Sequence, residues 1–246
     1  MNKLTAFLIE EQQARRKGGL YHKTQVQLAY NSNRIEGSRL TEEQTRYIFE
    51  TRTIGFKDQE AVSVDDIIET SNHFAAFDYL LRTIEEPLSE KLIKELHRIL
   101  KTGTADAQLS YFNVGDYKKL ANEVGGRETC TPADVAMEME KLITWYQNKK
   151  NIDIQTLAEY HWRFESIHPF QDGNGRVGRL LLFRECLRNS IMPFIIDNEH
   201  KMFYYRGLSE FRQTPGFLVG TMQSAQDVYE AWIRYFNEDL LDGLVI

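Results

Sequence analysis

Apolar residues recur three and four apart along most of this 246-residue chain, and only five prolines interrupt the pattern. That period belongs to helices that bury one face, so the chain is predicted to be all-α, a helical bundle. Leu92, Ile93, Leu96, Ile99 and Leu100 form one such face, opened by Ser89 as an N-cap. Thr131-Pro132-Ala133-Asp134 is read as another start, with a capping threonine, a proline at the first helical position and an acid that complements the dipole. That helix is expected to reach Gln147. Thr41-Glu42-Glu43-Gln44 has capping-box spacing, and Ser63 to Asp66 opens a helix expected to run through Ile84. Further helices are expected over 154–166, 174–188, 200–212 and 217–238. Between Asp116 and Glu128 the helical period lapses, and Val124-Gly125-Gly126 invites a turn between two short strands. A small β-hairpin on a helical body follows.

No internal repeat, low-complexity tract or Pro/Ser linker divides the chain. It reads as a single globular unit, with residues 1–59 as an N-terminal helical region and 60–246 as the core. The segment before Gly18-Gly19 is left open as a separately packed arm. Thirty Lys and Arg against thirty-six Asp and Glu leave a net charge of −6, the wrong sign for gripping nucleic acid. The first apolar run, Leu4 to Ile9, contains Thr5, stops at Glu10-Glu11 and is too short for a signal segment. No window suits a membrane span. Cys130 and Cys186 make neither a disulfide framework nor a metal-ligand spacing, so free thiols and a cytoplasmic location are expected.

The stretch that carries chemistry runs from His168 through Pro169, Phe170, Gln171, Asp172, Gly173, Asn174, Gly175, Arg176, Val177 and Gly178 to Arg179. Pro169 disfavours helical geometry at His168, which ends the preceding helix and puts the imidazole on a loop rim. Histidine titrates in the range a general base needs at neutral pH. Asp172 offers one hard oxygen, enough for a magnesium ion that takes its other ligands from water and phosphate. Gly173, Asn174 and Gly175 let the backbone turn sharply and aim N–H groups at an anion where the next helix begins. Arg176 and Arg179, three apart, share a face of that helix and can address one polyanion. Cations in a first turn oppose the helix dipole, a local cost that marks a functional choice.

The same twelve residues match, at all eight fixed positions, the motif His-x-Phe-x-Asp/Glu-Gly-Asn-Gly-Arg-x-x-Arg. On that motif the chain resembles Fic-domain adenylyltransferases over roughly residues 60–235, and 60–246 would be the Fic catalytic core. The resemblance implies transfer of AMP from ATP to a Ser, Thr or Tyr hydroxyl of a protein. His168 would deprotonate that hydroxyl, Asp172 would hold Mg2+ (manganese being the alternative) on the α- and β-phosphates, and the Gly173–Gly175 amides with Asn174 would stabilise the α-phosphate. Arg176 and Arg179 would take the β- and γ-phosphates, and Phe170 would anchor the loop in the core. Residues Lys118 to Glu128 fall where the family carries its target-docking flap, with Lys118, Asn122, Glu123 and Val124 as the docking candidates. Tyr204-Tyr205 lies where relatives place an aromatic wall for adenine. Many relatives carry an asparagine a little further on, where this chain has Arg212-Gln213.

Ser32-Asn33-Arg34-Ile35-Glu36-Gly37 matches the pattern Ser/Thr-x-x-x-Glu-Gly/Asn, which in Fic proteins marks an inhibitory helix, here ahead of the core. A glutamate where glycine ends a helix is unfavourable against the dipole, so Glu36 needs a partner. By resemblance that partner is Arg179, and the carboxylate would stand in the γ-phosphate's place, with Ser32 the first residue of the inhibitory motif. The resemblance leaves two further activities open: removal of AMP from a modified protein, with Glu36 orienting water, and a regulatory module that holds nucleotide without turnover. The expected partner is a protein with an acceptor hydroxyl, with self-modification included and a homo-oligomer left open.

Overall fold

The computed structural model describes residues 1–55 and 61–245. The expected boundary at residues 59 and 60 lies outside the described residues. Ten α-helices occur among the described residues: α1 (Lys3–Gln13), α2 (Leu20–Ile35), α3 (Glu42–Thr51), α4 (Val64–Arg82), α5 (Glu90–Lys101), α6 (Val135–Gln147), α7 (Ile154–Ile167), α8 (Asn174–Arg188), α9 (Lys201–Ser209) and α10 (Gly216–Asn237). Strands β1 (Glu123–Val124) and β2 (Arg127–Glu128) pair antiparallel, Val124 opposite Arg127. Gly125 and Gly126 both have positive φ, 57° and 74°, as a two-residue hairpin turn with matching twist demands.

The helix starts follow local chemistry. Asn2, Ser89 and Asp153 each accept a hydrogen bond from a first-turn N–H, and Thr41 and Gln44 complete a reciprocal capping box. The start expected at Pro132 falls three residues later. Thr131 Oγ1 donates to Asp134 Oδ2 at 2.7 Å, which closes a separate turn, and Asp134 takes the N-cap position of α6. The helix expected over 200–212 stops at Ser209, because residues 210–213 fold into turns ahead of Pro215.

α8 lies in the middle of the bundle. Val177, Leu180, Leu181, Leu182, Phe183, Cys186 and Leu187 are buried all round it, packed with residues of α1, α4, α5, α6, α7 and α10 in one apolar core. The hydrophobic residues of α1 join that core through Leu4 and Leu8, and Asn2 Nδ2 donates to Leu187 O at 2.8 Å at the far end of α8. The segment before Gly18-Gly19 is therefore docked on the bundle. Arg184, also buried, donates to the carbonyls of Thr83 (2.6 Å) and Glu86 (2.5 Å) just beyond α4 and pairs with Glu185, whose other oxygen accepts from Tyr146 (2.7 Å). That cation caps the carbonyl end of α4. A smaller cluster, Ala29, Leu40, Ile48 and Phe74, holds α3 on α2 and α4. Among the described residues no helix is long and apolar enough to cross a membrane.

This packing has an acid-side consequence. Burial pushes His73, His97 and His161 down to about 3 and His168 down to about 4, so the folded state keeps four imidazoles neutral that the unfolded chain would protonate below about 6.5. Glu165 works the other way, pushed up to about 8 by burial. Stability is thus expected to fall as pH drops from 6.5 towards 4, with uptake of about three protons on unfolding at pH 5. Thermal unfolding in buffers of different ionisation enthalpy measures that number, and a Tm flat from pH 7 to 4.5 contradicts it.

Candidate active site

α7 ends at Ile167, and His168 turns into the left-handed region (φ 51°, ψ 62°) with its N–H on Phe164 O at 2.9 Å. Pro169 forbids another helical turn, so the chain swings away and Phe170 drops into the core. Phe170 lies flat on His97, centroids 4.0 Å apart and planes within 2°. Its N–H donates to Asn174 Oδ1 (2.8 Å) and its carbonyl accepts from Asn174 Nδ2 (2.9 Å). The Asn174 side chain thereby closes the loop, with one Nδ2–H given to Phe170 O and, among the described residues, the second left over. Gly173, φ 82°, then delivers the chain into α8, whose first N–H groups have no partner within the helix.

The two arginines of α8 point to different partners. Arg176 donates to Asp172 Oδ2 at 2.9 Å and pairs with Glu69 of α4. Arg179 donates to Ser32 Oγ (3.0 Å), Ser32 O (2.9 Å) and Glu36 Oε1 (2.7 Å). Glu36 follows the last residue of α2, and Gly37 at φ 101° ends the turn, so this carboxylate sits against a helix carbonyl end and is held there by the guanidinium. A Cβ on Gly175 would stand 2.2 Å from Glu36 Oε1. The carboxylate therefore rests directly over the first turn of α8, where an anion would bind.

Residues 87–185 match the Fic/DOC family model, a span that contains the whole loop and both arginines. Over that span the chain is similar to Fic domains. Relatives of similar sequence include proteins named protein adenylyltransferase Fic from Aedes aegypti (29% identical over 215 residues, 83% of this chain and 41% of the relative) and Drosophila grimshawi (29%, 81% and 42%). The chain spans about two fifths of the length of these curated relatives. In fold it is similar to a Fic domain containing signaling protein from Bacteroides thetaiotaomicron (TM-score 0.70, 23% identical, 98% of this chain and 94% of that one). Fic-1 from C. elegans is similar as well (TM-score 0.73, 21% identical, 96% and 73%).

Within the matched span, His168 is neutral at physiological pH, because burial and the Lys118 ammonium hold it well below the ordinary imidazole range. A neutral ring can accept a proton. Asp172 stays ionised: burial opposes its charge, but Arg176 and Lys101 outweigh burial and hold the carboxyl far below the usual range. Its half-exposed carboxylate also accepts from Lys101 Nζ at 2.7 Å. The Asp172 carboxylate, with Oδ2 shared between Lys101 and Arg176, is the hard oxygen donor that the loop presents.

Several residues around this loop carry no signature in a linear motif. Lys101, buried on α5, joins Glu69 (2.6 Å), Asp106 (3.2 Å) and Asp172. His97 Nδ1 accepts from Gly115 N at 2.9 Å, which leaves Nε2 to donate to Asp172 O at 3.2 Å. Both lie on the apolar face of α5, one turn apart, and a polar residue on such a stripe was the available signal. His161 and Glu165 likewise lie one turn apart on α7, with His161 Nε2 at 2.7 Å from Tyr204 OH and Glu165 Oε2 at 3.8 Å from Nδ1 of His168 just beyond the helix.

The flap and the aromatic pair are each divided by burial. Lys118 is buried and Asn122 half-buried, both bonded into the loop, whereas Glu123 and Val124 are exposed at the hairpin edge. Tyr204 is 1% exposed inside the core, while Tyr205 keeps 41% of its surface and donates to Ile35 O at 3.1 Å.

The seat of Glu36 over Gly175 can be measured. Gly175→Ala should push the carboxylate off Arg179, so Glu36→Ala should cost little more in that background. Denaturant unfolding of the two single mutants and the double mutant is expected to give a coupling of about 1 kcal/mol or more, and additivity within about 0.3 kcal/mol would mean that the two residues do not meet.

Proposed function

We propose that this chain is a protein adenylyltransferase held in check by Glu36. The observation that carries the reading is the Glu36 carboxylate on Arg179, lying over the first turn of α8, with a neutral His168 at the other end of the same loop. An ATP polyphosphate laid along that turn would meet the amides of residues 173–175 at the α-phosphate and the guanidiniums of Arg176 and Arg179 beyond it. His168 takes the proton of an acceptor Ser, Thr or Tyr hydroxyl as its oxygen attacks the α-phosphorus. The new oxygen–phosphorus bond forms, the bond to the bridging oxygen breaks, and pyrophosphate leaves against the arginines. Mg2+, or Mn2+ in its stead, held by Asp172, would neutralise charge on the α- and β-phosphates. Tyr205, with its exposed face, is the side chain of the aromatic pair that can meet adenine. Glu123 and Val124 at the edge of β1 can pair with an extended target segment, including one from the same protein. A cytoplasmic location and self-association belong to the same proposal.

While Glu36 holds Arg179, the γ-phosphate has no guanidinium to bind and ATP cannot adopt the in-line arrangement. The same carboxylate favours a second reading, removal of AMP, in which Glu36 orients a water and His168 protonates the departing hydroxyl. Both directions use the same loop.

Glu36→Gly is expected to raise AMP transfer, self-modification included, by about tenfold or more, since the competing anion is gone and the loop is intact. Arg179→Ala breaks the same pair but removes a phosphate ligand, so its transfer should stay at or below wild type. AMP incorporated and AMP released, measured side by side on both variants at saturating ATP and Mg2+, decide the matter: unchanged incorporation in Glu36→Gly discards the inhibitory role.

His168→Ala should keep ATP affinity within about threefold while transfer falls by about 10²–10⁴. Near wild-type transfer in that variant would remove His168 from the chemistry.

A further inference from the structure

Lys118 stands at the foot of the hairpin with its ammonium buried, and among the described residues it forms no ion pair. Its three acceptors are neutral oxygens: Asn122 Oδ1 at 2.7 Å, Thr129 Oγ1 at 2.7 Å and Ile167 O at 3.3 Å. Its backbone N–H donates to Pro169 O at 2.9 Å. Ile167 and Pro169 are the two neighbours of His168, so one residue grips the chain on both sides of the imidazole. Between those grips the backbone is left-handed, a conformation that costs a non-glycine residue and persists only where its surroundings enforce it. A buried cation without a carboxylate is expensive as well, and two such costs at one seam mark a place shaped for work.

The same ammonium ties the hairpin together. Asn122 and Thr129 lie on its two arms, Thr129 Oγ1 also donates to Asn122 O at 3.0 Å, and Asn122 Nδ2 reaches Phe170 O at 3.0 Å. Hairpin, Lys118 and the His168–Phe170 backbone therefore form one hydrogen-bonded block. We propose that Lys118 is a positioning residue that holds His168 in its left-handed turn and registers the hairpin edge to it.

This rests on the reading of His168 as the base. The charged groups facing that ring are Lys118 from the hairpin foot, Glu165 from α7, Glu36 from the end of α2 and Asp172 from the loop. Burial and Lys118 oppose protonation of the ring, whereas the Glu165 backbone and the Glu36 and Asp172 carboxylates favour it. Lys118 itself is pushed down to about 8 by burial, with Cys130 the titratable group that faces it.

The test uses the full chain and three readouts: ATP affinity by calorimetry, AMP transfer against pH, and the NMR titration of the His168 ring without nucleotide. In Lys118→Met the ring is expected to titrate at higher pH and the acid limb of transfer to move with it. Transfer should fall by about tenfold or more while ATP affinity changes by less than about threefold. Lys118→Arg keeps the charge but misfits the three oxygens, so the ring should keep its low titration while transfer falls. If Lys118→Met does not fold, Thr129→Val, which deletes one acceptor, should shift the ring and the rate in the same directions by less. An unmoved ring titration with full transfer overturns the proposal. So does a parallel loss of ATP binding, transfer and Tm, which is the mark of a general fold contact. Should His168→Ala retain transfer, the base reading falls alone, and the ring titration in Lys118→Met still decides whether Lys118 governs His168.

Discussion

A helix buried on every side can bury its flanks by packing and satisfy its last carbonyls with donors from the chain, as Asn2 does at Leu187 O, but its first amides need anions or water. α8 is such a helix, and the rest of the structure is arranged about that need. The reciprocal Phe170–Asn174 bonds bend the preceding loop so that the amides face outward, and Phe170 on His97 fixes the bend to α5. Arg176 and Arg179 add charge to a turn already positive, and the structure answers with Glu69, Asp172 and Glu36 from three different segments. The site is thus an anion hole whose present anion comes from the chain itself.

Much of this was legible in the sequence because its parts are contiguous. His168, Asp172, Gly173, Gly175, Arg176 and Arg179 sit within twelve residues, and the turn from α7 into α8 follows from Pro169 and two glycines. The meeting of Glu36 with Arg179, 143 residues away, was legible only through resemblance to a family, since nothing in local patterning pairs two positions so far apart. Helix starts were readable where one side chain caps one turn, as at Ser89 and Thr41. At Thr131 the hydroxyl bonds Asp134 instead, and the N-cap moves to Asp134, which the sequence offers only as an acid that complements the dipole.

What the sequence hid are the residues whose meaning is set by tertiary company. Lys101 has no mark in the sequence and Lys118 only that of a flap docking candidate, yet the fold buries both, one among three carboxylates and the other among neutral oxygens. Tyr204 and Tyr205 are neighbours in the chain, yet a helix turns adjacent residues to different environments, so one is core and the other keeps a free face.

The far end of α8 has a bearing on how this domain can be joined to others. Asn2 bonds Leu187 O, Lys3 pairs with Asp242, and Met192 and Ser190 bond Val245, so both ends of the described chain meet where α8 finishes. Fifteen residues of helix at about 1.5 Å each separate that junction from the anion hole by roughly 22 Å. A tag, a surface tether or a second domain attached at either end would enter at the pole opposite the site. Its route to the chemistry runs along a single rigid rod, with Glu36 and the hairpin left clear for whatever docks there.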